Sequence, residues 1–297
     1  MPQDLSASSP AASRLRVGLV QMCVGRDVAR NVADASRLVR EAAAQGAQYV
    51  QTPEITTLME TDRARLFAAV QPEAGNTAIA AFSALAKDLG IWLHIGSMAV
   101  LAGDGRIANR ALLFAPSGQI AARFDKIHMF DVSLPNGEIY RESKSYSPGS
   151  EAVLAALPWG NLGMTICYDL RFPYLYRALA KAGADILAIP ASFTVPTGKA
   201  HWHVLMRARA IENGCFVIAA AQAGRHEVGR DTYGHSLVVS PWGEIVAEAG
   251  VEVGVTMADL NLAEIQEARQ RVPSLQHDRD FTLIRAGGES ALAESQT

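Results

Sequence analysis

One cysteine of this chain lies where a nucleophile would be useful. Cys167 ends the apolar run 162–166 and is followed at once by the segment Tyr168–Pro173. An apolar run that stops at a turn before a helix is typical of a buried strand that delivers a side chain to a sharp bend. A thiol there can meet substrate, and the first turn of the following helix favours a thiolate. A packed structural thiol is the alternative, which this segment alone does not exclude.

Two charged residues follow strand-like runs in the same manner. Glu54 comes just after the run 47–52, which Pro53 stops, and Lys126 follows the alternating run 120–124. Strand ends in layered α/β proteins meet at a common edge, where active sites gather. Taken singly, Glu54 is more simply a helix cap or a solvated carboxylate, and Lys126 a surface cation. Taken with Cys167, they form a coherent set of candidate site residues at the ends of strands.

In these segments the sequence resembles the nitrilase superfamily of carbon–nitrogen hydrolases, whose signature is a Glu-Lys-Cys triad. Pro53-Glu54 looks like its first motif, the segment 125–131 its second and the segment 167–173 its third. The resemblance runs from about residue 15 to residue 281. It implies an α/β fold of four layers, an α-β-β-α sandwich.

The resemblance also implies a mechanism. Cys167 attacks the amide and forms a thioester, while Glu54 takes the thiol proton, passes it to the departing nitrogen and then activates water. Lys126 stabilises the oxyanion, and the backbone N–H of Tyr168 completes that hole. No cofactor and no metal are expected.

A second glutamate of the superfamily falls at Glu142. It would support the reaction by orienting Lys126 or by binding the substrate nitrogen. Alternatively, it is a structural carboxylate satisfied by the backbone, by Arg141 or by Lys144.

Histidine offers a rival mechanism. A Cys-His hydrolase would use one of the histidines that follow the nucleophile, such as His201, His203 or His235. None lies in a matching motif of the superfamily. The sequence also lacks a phosphate-binding loop, a metal-ligand pattern and a dinucleotide fingerprint.

Alternating strand and helix patterns must position these residues. Helices are predicted over 31–44 with Asn31 as the cap, and over 78–89, 174–182 and 201–213. Strands are predicted over 16–22, 47–52, 91–98, 111–115, 119–124, 162–166, 185–190, 215–221, 236–239, 244–247 and 253–257. The long segment 125–150 is expected to line a site or to pack on a partner.

Composition points to small-molecule chemistry. Hydrophobic residues make up 49% of the chain, and the net charge of −3 comes with scattered Lys and Arg, which argues against a nucleic-acid partner. No apolar run reaches the ~20 residues that cross a bilayer, so no membrane association is expected. The sparse cysteines fit neither a disulfide framework nor a zinc site. We therefore expect a cytoplasmic protein.

Three segments are expected along the chain. Residues 1–14 are predicted to form a disordered leader, 15–270 the carbon–nitrogen hydrolase domain and 271–297 a C-terminal arm and tail. Relatives in the superfamily commonly dimerise, so the resemblance implies a homodimer or a higher even-numbered homo-oligomer.

Segments after the nucleophile resemble one branch of the superfamily, which contains omega-amidase and deaminated glutathione amidase. The segments 219–226 and 233–236 are closer to the latter kind of enzyme. Such substrates carry a carboxylate near the scissile amide, so Arg171 is the candidate to bind it; a pair with Asp169 or a helix cap is its alternative role. An aliphatic amidase, an N-carbamoyl amino acid hydrolase and a catalytically silent binding protein remain alternatives. The sequence departs from the branch at Tyr174, Lys199 and His203.

Overall fold

The computed structural model describes residues 13–134 and 137–285. Their strands form two large mixed sheets that pack face to face, with helices on the outer side of each. Most of the expected leader 1–14 and the last part of the expected tail lie outside the described residues.

The first sheet has seven strands in the order β17-β1-β2-β3-β4-β5, with β8 pairing β4. Its members are β1 (Arg14–Gln21), β2 (Tyr49–Gln51), β3 (Trp92–Leu101), β4 (Ile107–Phe114), β5 (Ile120–Asp125), β8 (Tyr146–Ser147) and β17 (Gly254–Asn261). Strands β1, β2 and β3 run parallel. Glu54 follows β2 and Lys126 follows β5, so this sheet carries both residues at strand ends.

The second sheet has six strands in the order β16-β15-β12-β11-β10-β9. Its members are β9 (Val153–Leu157), β10 (Gly160–Met164), β11 (Ile186–Ala188), β12 (Phe216–Ala219), β15 (Leu237–Val239) and β16 (Ile245–Glu248). Strands β10, β11 and β12 run parallel, and Cys167 follows the carboxyl end of β10.

Six α-helices lie among the described residues. They are α1 (Val28–Ala44), α2 (Arg63–Ala69), α3 (Thr77–Leu89), α4 (Pro173–Lys181), α5 (Val195–Asn213) and α6 (Ala263–Arg271). Helices α1 and α3 pack on the first sheet, and α4 and α5 on the second. None of these helices is long and apolar enough to span a membrane.

Two buried apolar clusters hold the layers together. One fills the space between the sheets, where Leu19 and Phe124 of the first sheet meet Met164 and Ile186 of the second. The other lies between the first sheet and its helices and includes Phe82. Burial of each such side chain stabilises the fold by about 1.5–3 kcal/mol. The predicted α-β-β-α sandwich is confirmed.

Two hairpins stand outside the sheets. They are β6 (Asp131–Ser133) with β7 (Ile139–Arg141), and β13 (Ala223–Arg225) with β14 (Asp231–Tyr233). The first belongs to the segment 125–150, which also holds a short 3-10 helix, Glu142–Lys144. As predicted, part of this segment lines the cleft described below.

Candidate active site

Cys167 occupies a strained bend between β10 and a 3-10 helix, Cys167–Arg171. Its φ of 48° is in the left-handed region, which a residue with a side chain adopts at a cost of about 1–3 kcal/mol. The backbone N–H of Cys167 donates to the carbonyl oxygen of Pro190 at 2.9 Å, which ties the bend to the strand beside it. The Tyr168 N–H lies in the first turn of the 3-10 helix, where backbone donors have no partner within the helix.

Asp169 fastens this bend to the segment that carries Lys126. Its buried carboxylate accepts a hydrogen bond from the N–H of Ile166 at 2.9 Å and another from the N–H of His128 at 3.0 Å. The ring of His128 also contacts it, with Nδ1 at 2.6 Å. The second and third sequence motifs are therefore joined directly. The contact lies between His128, two residues after Lys126, and Asp169, two residues after Cys167.

Lys126 lies between two carboxylates. Its Nζ donates to Glu54 Oε1 at 2.8 Å and to both oxygens of Glu142 at 3.1 and 2.9 Å. Glu142 also accepts from the N–H of Phe130 at 2.7 Å. The side chains of Lys126 and Glu54 are 2% and 4% exposed, so this network is shielded from water. Of the two interpretations of Glu142, contact with Lys126 is realised, and a backbone partner is present as well.

Asn109 completes the network and was missed from the sequence. Its Nδ2 donates to Glu54 Oε1 at 3.0 Å and to Glu142 Oε1 at 3.2 Å. It lies on β4, next to the strand that leads to Lys126. An amide at a buried position of a largely apolar strand was the available signal.

The resting charge state follows from the pKa shifts. Burial and the carboxylate of Glu54 raise the pKa of the Cys167 thiol well above its usual value. Burial acts to raise the pKa of Glu54, but the ammonium of Lys126 outweighs it, and the net pKa is lowered. Burial acts to lower the pKa of Lys126, but Glu142 and Glu54 raise it well above the usual value. The site therefore rests as a thiol, a carboxylate and an ammonium.

The expectation that the following helix favours a thiolate is thus wrong. The α-helix begins only at Pro173, after the 3-10 helix, and among charged neighbours the anionic Glu54 has the largest effect on the pKa of the thiol. The carboxylate of Glu54 acts on the thiol and both side chains line the same cleft, so Glu54 is placed to take the proton when the sulfur attacks.

A cleft of about 250 Å³ opens over these residues. Its wall includes all four of these groups: Glu54, Lys126, Glu142 and Cys167. Aromatic and cationic side chains form much of the remaining wall: Phe130, Tyr140, Tyr168, Phe193, Arg171 and Arg230. A small concave site lined by aromatic and charged side chains fits a small polar substrate.

Arg171 faces this cleft, as expected for a substrate-binding residue. Its guanidinium carbon lies 5.9 Å from the ring centroid of Tyr168 and 5.6 Å from that of Phe193. Its Nη atoms are each 3.3 Å from Nδ1 of His201. The alternative pair with Asp169 is not formed, because Asp169 is used by the bend and by His128. The three departures from the branch pattern, at 174, 199 and 203, do not line the cleft.

The histidines of the rival mechanism have other partners. His201 contacts Arg171, while His203 Nε2 and His235 Nδ1 each lie 2.8 Å from Glu248 Oε1. The last three residues form a group whose ligand atoms lie within 4.8 Å of one another and could hold a metal ion. This group is not part of the cleft wall and was missed from the sequence, since its members are far apart in the chain.

Comparison with known proteins agrees with this geometry. A model of the carbon–nitrogen hydrolase family matches residues 16–270. A protein of Synechocystis named deaminated glutathione amidase is 41% identical over 269 residues, which cover 87% of this chain and 96% of that protein. Human omega-amidase NIT2 is 34% identical, with 89% of this chain and 95% of that protein covered.

A solved structure adds chemical information. A mutant amidase from Nesterenkonia sp. AN1 superposes with a TM-score of 0.76 at 27% identity, covering 92% of this chain and 97% of that one. It is described as showing covalent addition of the acetamide moiety of fluoroacetamide at the active-site cysteine. The active site of that amidase therefore contains a cysteine that accepts a covalent adduct.

Proposed function

The chain belongs to the carbon–nitrogen hydrolase family, and from that premise we propose that it is a deaminated glutathione amidase working through Cys167, Glu54 and Lys126. As a member of this family it is a hydrolase that acts on amides. The observation that carries the assignment of residues is that Cys167 lines the same cleft as the buried ion pair of Glu54 with Lys126.

The proposed reaction has two halves, formation of a thioester on Cys167 and its hydrolysis, and Glu54 transfers protons in both. Cys167 attacks the amide carbon while Glu54 takes the thiol proton, and the oxygen that becomes negative is stabilised by Lys126 and the N–H of Tyr168. Glu54 then gives the proton to the departing nitrogen, which leaves a thioester on Cys167. Glu54 next removes a proton from water, and attack of that water releases the carboxylic acid and the thiol.

Glu142 supports this cycle by keeping Lys126 charged and in place. With two carboxylates around one ammonium, Lys126 keeps its charge even in a buried site. Because Glu142 and Asn109 hold the lysine and Glu54 in place, the cation is preorganised where negative charge develops.

Deaminated glutathione is proposed as the substrate because the relatives of that name match more strongly than the omega-amidase. Arg171 supports either substrate, since each carries a 2-oxo acid carboxylate that a guanidinium can bind with two directed hydrogen bonds. Omega-amidase activity on 2-oxoglutaramate is the second candidate. An aliphatic amidase is disfavoured by a cleft with three arginines that lack carboxylate partners among the described residues. The substrate of an N-carbamoyl amino acid hydrolase carries a carboxylate, so that activity is separated by the substrate panel below.

The test is a panel of substrates. The purified protein is incubated with deaminated glutathione, 2-oxoglutaramate, an aliphatic amide and an N-carbamoyl amino acid, and the released acid and amine or ammonia are measured. We expect the highest kcat/KM for deaminated glutathione. Faster turnover of a neutral aliphatic amide would overturn the substrate assignment and leave the nucleophile untested by that result.

The nucleophile is tested separately. Cys167→Ala is expected to abolish turnover and to leave the fold intact, and an acyl adduct in mass spectrometry is expected on Cys167. Cys23→Ala and Cys215→Ala serve as controls, because these two free thiols do not line the cleft. An adduct on either of them would contradict the assignment.

We also propose a homodimer or higher even-numbered assembly in the cytoplasm. Apolar side chains left exposed on α5 and after α6 support the assembly. Three free cysteines, none paired with another, are in keeping with a reducing compartment.

A further inference from the structure

The cleft has an excess of unpaired positive charge. Each carboxylate that lines it already has a cationic partner. These pairs are Glu54 with Lys126 at 2.8 Å, Glu142 with Lys126 at 2.9 Å and Glu60 with Arg26 at 3.1 Å. By contrast, three arginines line the cleft, and within the described parts of the chain none has a carboxylate within 4.0 Å. Arg141 donates to the carbonyl oxygens of Val132 and Tyr140, which leaves Arg171 and Arg230. Arginines in this state are suited to an anionic ligand.

Arg230 is the less satisfied of the two. It lies in the loop between β13 and β14, and one of its Nη atoms donates to the carbonyl oxygen of Ser192. Its guanidinium carbon is 5.2 Å from the ring centroid of Tyr140. Its Nε is buried and has no hydrogen-bond partner among residues 13–134 and 137–285. Stacking and one backbone contact orient this guanidinium but leave most of its donors unused.

A row of aromatic rings connects the two arginines. Arg171 stacks on Tyr168, and Arg230 on Tyr140. Phe130 lies between those rings, with its centroid 5.1 Å from each. Each guanidinium group thus lies against a different end ring of this row. The end rings are at most two steps of 5.1 Å apart, and a tripeptide-sized ligand, which spans about 10 Å when extended, is long enough to run along the row.

We propose that Arg230 binds a second carboxylate of the substrate, the one on the leaving-group side of the scissile amide. This inference rests on the proposed function and refines it. Deaminated glutathione carries a 2-oxo acid carboxylate on its acyl part and a glycine carboxylate on the dipeptide that leaves. In this arrangement Arg171 binds the first carboxylate and Arg230 binds the second.

The position of Glu54 fixes which end is which. Glu54 returns the proton to the leaving nitrogen. Arg230 lies on the hairpin that follows Gln222, whose Nε2 donates to the carbonyl oxygen of Glu54 at 2.9 Å, whereas Arg171 follows the nucleophile on the 3-10 helix. Arg230 is therefore on the side where the amine departs. Since 2-oxoglutaramate releases only ammonia, it has no group for this subsite, and Arg230 separates the two candidate substrates chemically.

The test compares three substrates: deaminated glutathione, the same compound with its glycine carboxylate converted to an amide, and 2-oxoglutaramate. For Arg230→Met we expect kcat/KM on deaminated glutathione to fall by about 10- to 100-fold, mainly through KM, because a charge-assisted contact is lost. The other two substrates should be hydrolysed as by the wild type. Arg230→Lys should recover part of the loss.

Arg225→Met is the matched control. Arg225 lies on the same hairpin, is paired with Asp231 at 2.6 Å and does not line the cleft, so its loss should change none of the three rates. Arg171→Met should instead impair all three substrates, since each has the 2-oxo acid end.

Two kinds of failure are distinguishable. A wild-type enzyme that hydrolyses deaminated glutathione equally well with or without its glycine carboxylate overturns the Arg230 subsite alone. Equal losses on all three substrates in Arg230→Met also overturn it, because they would show that Arg230 only positions the Ser192 segment. A wild-type enzyme that hydrolyses 2-oxoglutaramate but not deaminated glutathione overturns the subsite together with the substrate assignment.

Discussion

A single ammonium group sets the charge of the whole network around Cys167. Glu54 and Glu142 are both buried or nearly so, and Lys126 is the cation that touches both. Taking one partner out of a buried ion pair leaves an uncompensated charge, which costs about 3–5 kcal/mol. The residue proposed to stabilise the oxyanion is thus also one that the fold requires.

Replacing Lys126 by Met should therefore have two effects. The free energy of unfolding, measured in urea, should fall by about 3–5 kcal/mol, and kcat should fall by at least about 10²–10³. Lys199→Met is the control, because Lys199 is exposed and does not line the cleft. Full activity in a stable Lys126→Met protein would contradict the proposed role.

The pH dependence of kcat/KM distinguishes this network from a Cys-His site. Glu54 must be ionised to accept the thiol proton, and its pKa is lowered below the usual 4.5, the effect of Lys126 outweighing that of burial. Activity should then fall only as the pH drops below 4.5 and stay level through the neutral range. Circular dichroism at each pH separates this loss from acid unfolding. A fall centred near 6.5 would indicate a histidine base instead.

At the scale of elements, Gly96 is where the two halves of the site touch. It lies on β3, and a Cβ there would come 2.1 Å from the carbonyl oxygen of Thr52 and 2.4 Å from Cβ of Pro190. The first neighbour precedes Glu54 by two residues, and the second accepts the hydrogen bond of Cys167. The glycine therefore allows the base and the nucleophile to approach each other.

Gly96→Ala should push these two segments apart. We expect a loss of about 1–3 kcal/mol in unfolding free energy and, because a misplacement of about 1 Å disturbs the reacting groups, a fall in kcat of about 10². Gly103→Ala is the control, since no atom lies within 4 Å of a Cβ built there. If both variants keep wild-type kcat, the close approach at Gly96 does not matter for the reaction.

Elements with strong local signals were predicted correctly. The strands predicted over 111–115 and 119–124 overlap β4 and β5, which the turn at 116–118 joins. The helix predicted to end at residue 213 does so, and Gly214 follows it with a φ of 56°. The start of α5 was placed six residues late, because Pro196 and Gly198 look like a loop. Gly198 is in the helix for packing, since a Cβ there would lie 2.2 Å from the ring of Tyr233.

The start of α1, near which Asp27 and Asn31 both lie, was also misassigned. Asp27, not Asn31, caps α1, because its side chain accepts from the N–H of Arg30. The side chain of Asn31 is instead buried and bonds the backbone of Gly25 and Thr57. Helix α6 was missed, as only two of its residues are buried and its periodicity is weak.

The residues of the candidate site also differ in whether a local pattern of the sequence indicates them. Glu54, Lys126 and Cys167 follow strands and carry local motifs, so the sequence indicates them. Asn109 bonds Glu54 and Glu142, which lie 55 and 33 positions away in the chain. Arg230 bonds Ser192, which lies 38 positions away. No local pattern of the sequence encodes such contacts. Long-range pairing of strands and loops decides such residues, and only the folded chain brings them together.

At the scale of the whole molecule, two apolar surfaces remain uncovered. On α5, Val204 and Ile211 are 67% and 53% exposed, near the exposed edge strand β16. Past α6, the chain is fixed to α4 through Asp278, which bonds Arg177 and Lys181. Beyond that anchor, three large side chains lie in solvent: Phe281, Leu283 and Ile284. Such surfaces are typical of contacts between subunits.

The arm, residues 271–297, begins where α6 ends, so this helix limits where the chain can be shortened to test the arm. A cut after Ala268 would remove the end of this helix, where Ala268 is buried, and would confuse folding with assembly. A chain that stops after Asp278 keeps the anchor to α4 and loses only the apolar segment beyond it.

We expect this truncated chain to sediment as smaller species than the wild type, which should form a dimer or a higher even-numbered oligomer. Full burial of each of the three side chains would contribute about 1.5–3 kcal/mol, so their removal should weaken association by on the order of a thousandfold or more. A full-length chain with Phe281, Leu283 and Ile284 changed to Ser tests the same side chains without shortening the protein. If both variants keep the wild-type sedimentation coefficient, the arm does not hold the oligomer, and Val204→Glu on α5 becomes the variant that should dissociate it.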